Sequence, residues 1–202
     1  MYIKLFEIRK LEMPPIENSI PKYKDFIAKG GSHKVYYIDD DWVLKIPIKP
    51  FYSIYGKSEL MISQFNAHIN FMKENPEIFV NVKKLDKYRA SVEKVDVEKA
   101  KEEIKHVYEI FKKIVRKYEL WDDIKSTDKY VIHEIYNSPY QNIIEQIMEG
   151  FKEYYIENND NIIKKWYDFI NKLFNKLDNI YLDLHSGNFG IDKSGNIKLI
   201  DF

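Results

Sequence analysis

The sequence predicts an α+β fold, a small antiparallel sheet with one helix, followed by a mostly helical part and a closing pair of strands. Three observations predict it. The first 95 residues hold short apolar runs separated by turn residues, and residues from 97 to about 178 carry apolar side chains at helical spacing. The C-terminal end then returns to two short apolar runs joined by Lys193-Ser194-Gly195.

Residues 1–12 are apolar at positions 2, 3, 5, 6, 8 and 11, a pattern that suits neither a strand nor a helix, and Pro14, Pro15 and Pro21 follow. Residues 1–22 are therefore expected to be an N-terminal arm and linker. Between Lys24 and Ile48, the runs KVYYI and WVLKI flank Asp39-Asp40-Asp41, with Gly30-Gly31-Ser32 ahead of them. That pattern predicts a β-hairpin entered through a glycine-bearing loop. Residues 57–74 space Leu60, Ile62, Phe65, Ile69 and Phe71-Met72 for a helix packed on one face, with Glu59 in its first turn.

IFVNVKKL and YRASVEKV, within residues 78–95, read as two further strands, and Asp96 is placed to cap a helix over roughly 97–118. IIEQIMEGFKEYY and IIKKWYDFINKLFNKL keep Lys, Glu and Asn on the face opposite their apolar residues, so the aromatics from Tyr154 to Phe174 read as core. NFGID and NIKLID predict the final hairpin. The expected division is an arm at 1–22, a sheet lobe at 23–95 and a helical lobe at 96–202.

Thirty-two basic residues balance thirty-two acidic ones, which gives no electrostatic reason to expect nucleic acid or an anionic membrane as the main partner. With no cysteine there is no disulfide, thiolate zinc site or Cys nucleophile, a composition suited to a reducing compartment. The opening MYIKLFEIRK lacks the apolar run of a secretory signal, and no later stretch reaches transmembrane length. The expected location is cytoplasmic.

Chemistry concentrates in Tyr181–Ile191, reading YLDLHSGNFGI, and in Leu199-Ile200-Asp201-Phe202. Asp183 and Asn188 stand five apart across a Ser-Gly turn, so one tight loop can aim both at a cleft, and the hairpin can return Asp201 beside Asn188. A carboxylate with an amide carbonyl is enough for Mg²⁺ when nucleotide phosphate completes the shell. Singly, each signal has an ordinary explanation: Asp and Asn cap and turn chains, a glycine pair makes a turn, and Lys45 in an apolar strand can snorkel to the surface.

Taken together and in order, these residues resemble the protein-kinase-like superfamily. Asp183 and Asn188 match the catalytic loop H-R-D-L-x-x-x-N, and Asp201-Phe202 match the first two residues of D-F-G. The wording D-L-H-S-G-N is similar to the aminoglycoside and choline kinase branch and to small bacterial or phage kinase-like proteins. Ala28–Val35, reading AKGGSHKV, resembles the glycine-rich loop, and Val43-Leu44-Lys45 resembles the strand that carries the phosphate lysine.

The resemblance implies a two-lobe fold binding ATP and Mg²⁺. Gly30, Gly31, Ser32 and Val35 would form the phosphate loop, with Lys45 on the α/β-phosphates. Glu59, the only acidic residue between Asp41 and Glu74, would orient Lys45. Asn188 and Asp201 would hold the metal and Asp183 would act as base. Adenine would meet the backbone near Glu93, Lys94 and Val95. His185 replaces the lysine of the eukaryotic loop and has two open roles, contact with the γ-phosphate or holding the loop through backbone hydrogen bonds. His68, His106 and His133 have no ligand-like spacing.

Tyr181 and Leu182 replace the His-Arg of the family loop, so pairing with a phosphorylated activation segment is not expected. The chain ends at Phe202, so the resemblance covers about the first two-thirds of the family's fold and omits the part beyond D-F-G. Helical packing from 97–180 beneath the catalytic loop, or a second subunit in a homodimer, is expected to supply the missing support. The leading expectation is an ATP-dependent phosphotransferase acting on a protein Ser/Thr or small-molecule hydroxyl. The alternatives are a catalytically inactive kinase-like protein that binds or inhibits a partner, and nucleotidyl transfer on the same fold.

Overall fold

β-branched and aromatic residues in HKVYY and WVLKIP form two antiparallel strands, β2 (His33–Tyr37) and β3 (Trp42–Pro47), as their composition requires. Asp39 closes the turn between them, its Oδ1 accepting the backbone N–H of Asp41 and of Trp42 at 2.8 Å each. The computed structural model describes residues 26–29, 33–47, 58–85, 90–120, 127–177, 180 and 182–200. Within it β1 (Phe26–Lys29), β4 (Val82–Lys84) and β5 (Ala90–Glu93) complete a five-stranded antiparallel sheet of order β1-β2-β3-β5-β4. Helix α1 (Ser58–Glu74) links β3 to β4.

The sheet departs from the sequence reading at two places. β1 forms from FIAK, a run too short to announce itself, because β2 gives it a partner. The strand read over residues 78–85 keeps only Val82–Lys84 in the sheet. Ile78, Phe79 and Val80 are buried and instead meet Leu199: the Leu199 N–H donates to the Ile78 carbonyl at 2.8 Å and the Val80 N–H to the Leu199 carbonyl at 3.0 Å. Buried backbone must find a partner, and the C-terminal hairpin supplies it.

The helical part begins at α2 (Val97–Lys117), capped as read by the Asp96 side chain, which accepts the Lys99 N–H at 2.9 Å. Then come α3 (Val131–Tyr136), α4 (Gln141–Asn158) and α5 (Asn161–Lys176). Asn159 ends α4 at φ +51°, and Asp160 opens α5 by accepting the N–H groups of Ile162 and Ile163 at 3.0 Å each. Strands β6 (Phe189–Ile191) and β7 (Ile197–Leu199) close the chain, with Gly195 at φ +87°, a turn position suited to glycine. The architecture is α+β, a small antiparallel sheet with several helices and a separate two-stranded hairpin. No helix among the described residues is long and apolar enough to cross a membrane.

The apolar faces of α2 and α5 meet β6 in one core. Trp166 and Phe169 of α5 pack edge-on against Phe189, with ring centroids 5.3 and 6.1 Å away. The residue after Asn188 is thereby anchored in the centre of the helical part.

Two polar links brace these helices. Glu103 on α2 is buried, accepting the Trp166 indole N–H at 3.0 Å and Lys165 Nζ at 2.6 Å. Glu103→Gln keeps an acceptor for the indole but loses the charge that faces Lys165. A loss of about 1 kcal/mol in urea unfolding is expected; an unchanged midpoint would show that the ion pair contributes nothing.

Asp160, besides capping α5, bonds His106 on α2 at 2.7 Å. Burial works to raise its pKa, but the His106 hydrogen bond and the Ile163 N–H outweigh that and hold it below its ordinary value of 3.8. A carboxylate held low stabilises the fold fully above its unfolded pKa and loses that contribution as pH falls through the lower folded value. Acid unfolding of Asp160→Asn, followed by circular dichroism, should therefore show a shallower dependence on pH below about 4 than wild type. Parallel profiles would remove this assignment.

Candidate active site

Leu182 and Leu184 are fully buried, and the Asp183 side chain between them is 57% exposed. This alternation, two leucines in and one carboxylate out, turns Asp183 toward solvent on a backbone fixed from below. A 3-10 turn at Ser186–Asn188 follows, closed by the Asn188 N–H to the His185 carbonyl at 2.9 Å. It brings the amide of Asn188 back on the aspartate: Asn188 Nδ2 donates to the Asp183 carbonyl at 2.8 Å. Asn188 Oδ1 makes no hydrogen bond among the described residues and remains available as an oxygen ligand.

His185 takes the loop-holding contact that the sequence left open. Its Nδ1 accepts the Gly187 N–H at 3.0 Å, so a neutral ring carries its proton on Nε2, 3.8 Å from Asp183 Oδ2. Gly187 permits this approach, since a Cβ there would lie 3.0 Å from His185 Cε1.

The loop rests on α3 and the turn before it. Asn137 Nδ2 donates to the Leu182 carbonyl at 3.0 Å. The Leu184 N–H is shared between the Leu182 carbonyl at 3.2 Å and His133 Nδ1 at 3.4 Å, and the Ser186 N–H donates to the Lys129 carbonyl at 2.8 Å. The ring of Tyr130 stands edge-on to both His133 and His185, with centroids 6.3 and 6.5 Å away. The expected helical support beneath the loop is thus present among the described residues. Neither Asn137 nor His133 is singled out by the sequence, where i and i+4 on a short helix is too common a spacing to signal anything.

The closing hairpin comes to the same point. The Ile200 N–H donates to the Asn188 carbonyl at 2.8 Å, beside the rung Phe189–Leu199. Asp201 itself lies outside the described residues. Among the described residues, no group of three or more His, Asp or Glu is placed to hold a metal ion.

At the sheet, the Lys45 backbone pairs with Val35 on β2 and Ala90 on β5. The side chains of Lys45 and Glu59 lie outside the described ones, as do Gly30, Gly31 and Ser32. Past β5, the Glu93 N–H donates to the Asn81 carbonyl at 2.9 Å and the Lys94 N–H to the Asp41 carbonyl at 2.8 Å. The Glu93 carboxylate accepts Asn81 Nδ2 at 2.7 Å. Of the three residues read as adenine contacts, Val95 alone keeps its N–H clear of backbone partners among the described residues. Its side chain packs on Gly190 of β6, and the next residue bridges to β6 as well: the Asp96 N–H donates to the Ile191 carbonyl at 2.9 Å, and the Ile191 N–H returns to the Asp96 carbonyl at 3.0 Å. The segment leaving β5 is thus joined to the hairpin that follows Asn188.

No protein-family model and no curated protein matches the chain. Among solved structures, the streptomycin–ATP–APH(2")-IIa ternary complex matches over 88% of this chain at 12% identity and a TM-score of 0.31. The chain spans 64% of the length of that structure.

Proposed function

We propose that the chain is an ATP-dependent phosphotransferase that moves the γ-phosphate to a hydroxyl acceptor. The observation that carries this reading is the Asp183–Asn188 pair: an outward carboxylate whose own peptide carbonyl is held by the asparagine amide at 2.8 Å. That bond commits the amide nitrogen and leaves an amide oxygen for a hard cation. It is an arrangement a solvated capping asparagine has no need of.

In this reading residues 23–95 hold the nucleotide and residues 96–202 hold the acceptor and the metal. Gly30, Gly31, Ser32 and Val35 close over the phosphates, Lys45 neutralises them with Glu59 as its counter-ion, and Val95 offers its backbone to adenine. Asn188 and Asp201 suit Mg²⁺, two oxygen donors with phosphate and water to complete the shell. When bound, the metal would neutralise charge on the β- and γ-phosphates. Asp183 orients the acceptor hydroxyl and takes its proton as the oxygen–phosphorus bond forms, while the bond from the γ-phosphorus to the β-bridging oxygen breaks and ADP leaves with the electron pair.

The test is a thermal-shift titration with ATP and Mg²⁺, followed by incubation with α- or γ-labelled ATP and a cell extract. Stabilisation by ATP and transfer of the γ-label alone is the expected result. Transfer of the α-label would make the chain a nucleotidyltransferase, and no shift with no transfer would leave a binding protein on this fold.

A further inference from the structure

We infer that Asn137 and His133 are positioning residues for Asp183, setting the direction of its carboxylate by holding the peptide groups on either side of it. The role rests on the phosphotransfer reading. Two peptides flank the Asp183 side chain, and three of their four polar groups are the Leu182 carbonyl, the Asp183 carbonyl and the Leu184 N–H. A different side chain takes each: Asn137 at 3.0 Å, Asn188 at 2.8 Å and His133 at 3.4 Å.

Burial of Leu182 and Leu184 turns Asp183 outward. The finer tilt of the peptide planes on either side of it, which aims the carboxylate, is resisted weakly by apolar side chains and strongly by directed hydrogen bonds. Asn137 and His133 come from successive turns of one helical face and contact each other, Asn137 Nδ2 lying 3.2 Å from His133 Nδ1. Both neighbours of that ring nitrogen are donors, so His133 keeps a lone pair there and its proton on Nε2.

The helix beneath is itself anchored in the core. Val131, Ile132 and Ile135 are buried, the Tyr136 hydroxyl donates to the Leu177 carbonyl, and the Tyr136 ring stacks on Phe174 at 5.3 Å. VIHEIY is a poor helix former with two isoleucines and a valine in six residues, so packing and not propensity maintains it. An anchored support carrying two polar groups into the backbone of a loop is what pre-organisation of an exposed carboxylate requires.

The experiment compares wild type with Asn137→Leu, which matches the amide in size without its donor, and with His133→Phe, which keeps a ring without its acceptor. Mg²⁺·ATP is the probe, with water as the acceptor, and γ-phosphate release is the rate. Glu103→Gln serves as a variant that weakens the fold without removing any hydrogen bond made to the loop. Turnover per folded chain should fall about 10- to 100-fold in Asn137→Leu and by a smaller factor in His133→Phe, with the Kd for Mg²⁺·ATP within about twofold. Glu103→Gln should keep wild-type turnover. A loss confined to stability, with turnover per folded chain unchanged in both loop variants, overturns the positioning role.

Amide hydrogen exchange at Leu184 is read on the same samples. If wild type neither releases phosphate to water nor transfers the γ-label in the extract assay, the phosphotransfer reading fails, and exchange decides the rest. Faster exchange at Leu184 in both variants supports the proposed support of the loop, and unchanged exchange overturns it. Should Asn137→Leu fail to fold, the same readouts on His133→Phe carry the decision.

Discussion

Asp183→Ala is expected to lower phosphate transfer by about 10²- to 10⁴-fold, the usual worth of a positioned general base, and to leave stabilisation by Mg²⁺·ATP in place. The separation comes from the contacts of the side chain. Its carboxylate is 57% exposed, and among the described residues it meets the His185 ring, whose Nε2 lies 3.8 Å from Oδ2. Asn188 holds the Asp183 backbone carbonyl and not the carboxylate, and the flanking leucines stay buried whatever stands between them. The substitution therefore deletes the proposed proton acceptor without releasing the loop or the Asn188 oxygen proposed for the metal. Asn188→Leu should behave differently, losing the loop bond and that oxygen together, so transfer and magnesium-dependent nucleotide binding fall in step. Rapid-quench transfer assays and thermal-shift titrations of the two variants give the comparison. Full turnover in Asp183→Ala would remove it as the base.

What the sequence shows of this molecule is mostly its local chemistry. Asp39 bonding the two N–H groups ahead of it, Asp96 capping α2 and Gly195 turning the last hairpin each need only a few neighbouring residues, and each is present as read. Asp183 and Asn188 are legible for the same reason, since five residues across a Ser-Gly turn leave few ways to arrange them. Ile78-Phe79-Val80 looks like sheet because it is apolar and continuous, yet its partner is Leu199, and nothing local distinguishes that outcome from a longer β4. His133 and Asn137 reach loop backbone 51 and 45 residues away, a relation that exists only once α5 has run back across the core. Gly30, Lys45 and Glu59, proposed to hold the phosphates, rest on resemblance to a family motif and on order along the chain, since Gly30 and the side chains of Lys45 and Glu59 lie outside the described residues.

Gly190→Ala is expected to have the largest effect on stability, and it tests whether the hairpin and the segment proposed to face adenine act as one piece. A Cβ at this position would lie 2.2 Å from Val95 Cγ2 and 2.7 Å from Val95 Cβ. The first clash can be relieved by turning the valine, but the second cannot, because a Cβ moves only with its backbone. Either β6 or the segment at Val95 must shift, straining the paired hydrogen bonds between Asp96 and Ile191 at 2.9 and 3.0 Å. Overpacking of this kind costs about 1–3 kcal/mol, and more where backbone is trapped on both sides, as β6 is between Val95 and the Trp166–Phe169 rings. Denaturant unfolding should show that loss, and Val95→Gly placed on top of Gly190→Ala should recover much of it, a coupling that independent sites do not give. The functional signature is the reverse of Asp183→Ala. Displacing Val95 moves the backbone proposed to face adenine, so the affinity for ATP weakens while transfer from bound ATP persists. An additive pair in the stability cycle would mean that Val95 and Gly190 do not meet. A destabilised Gly190→Ala protein with wild-type ATP affinity would mean that they meet and that adenine binds elsewhere.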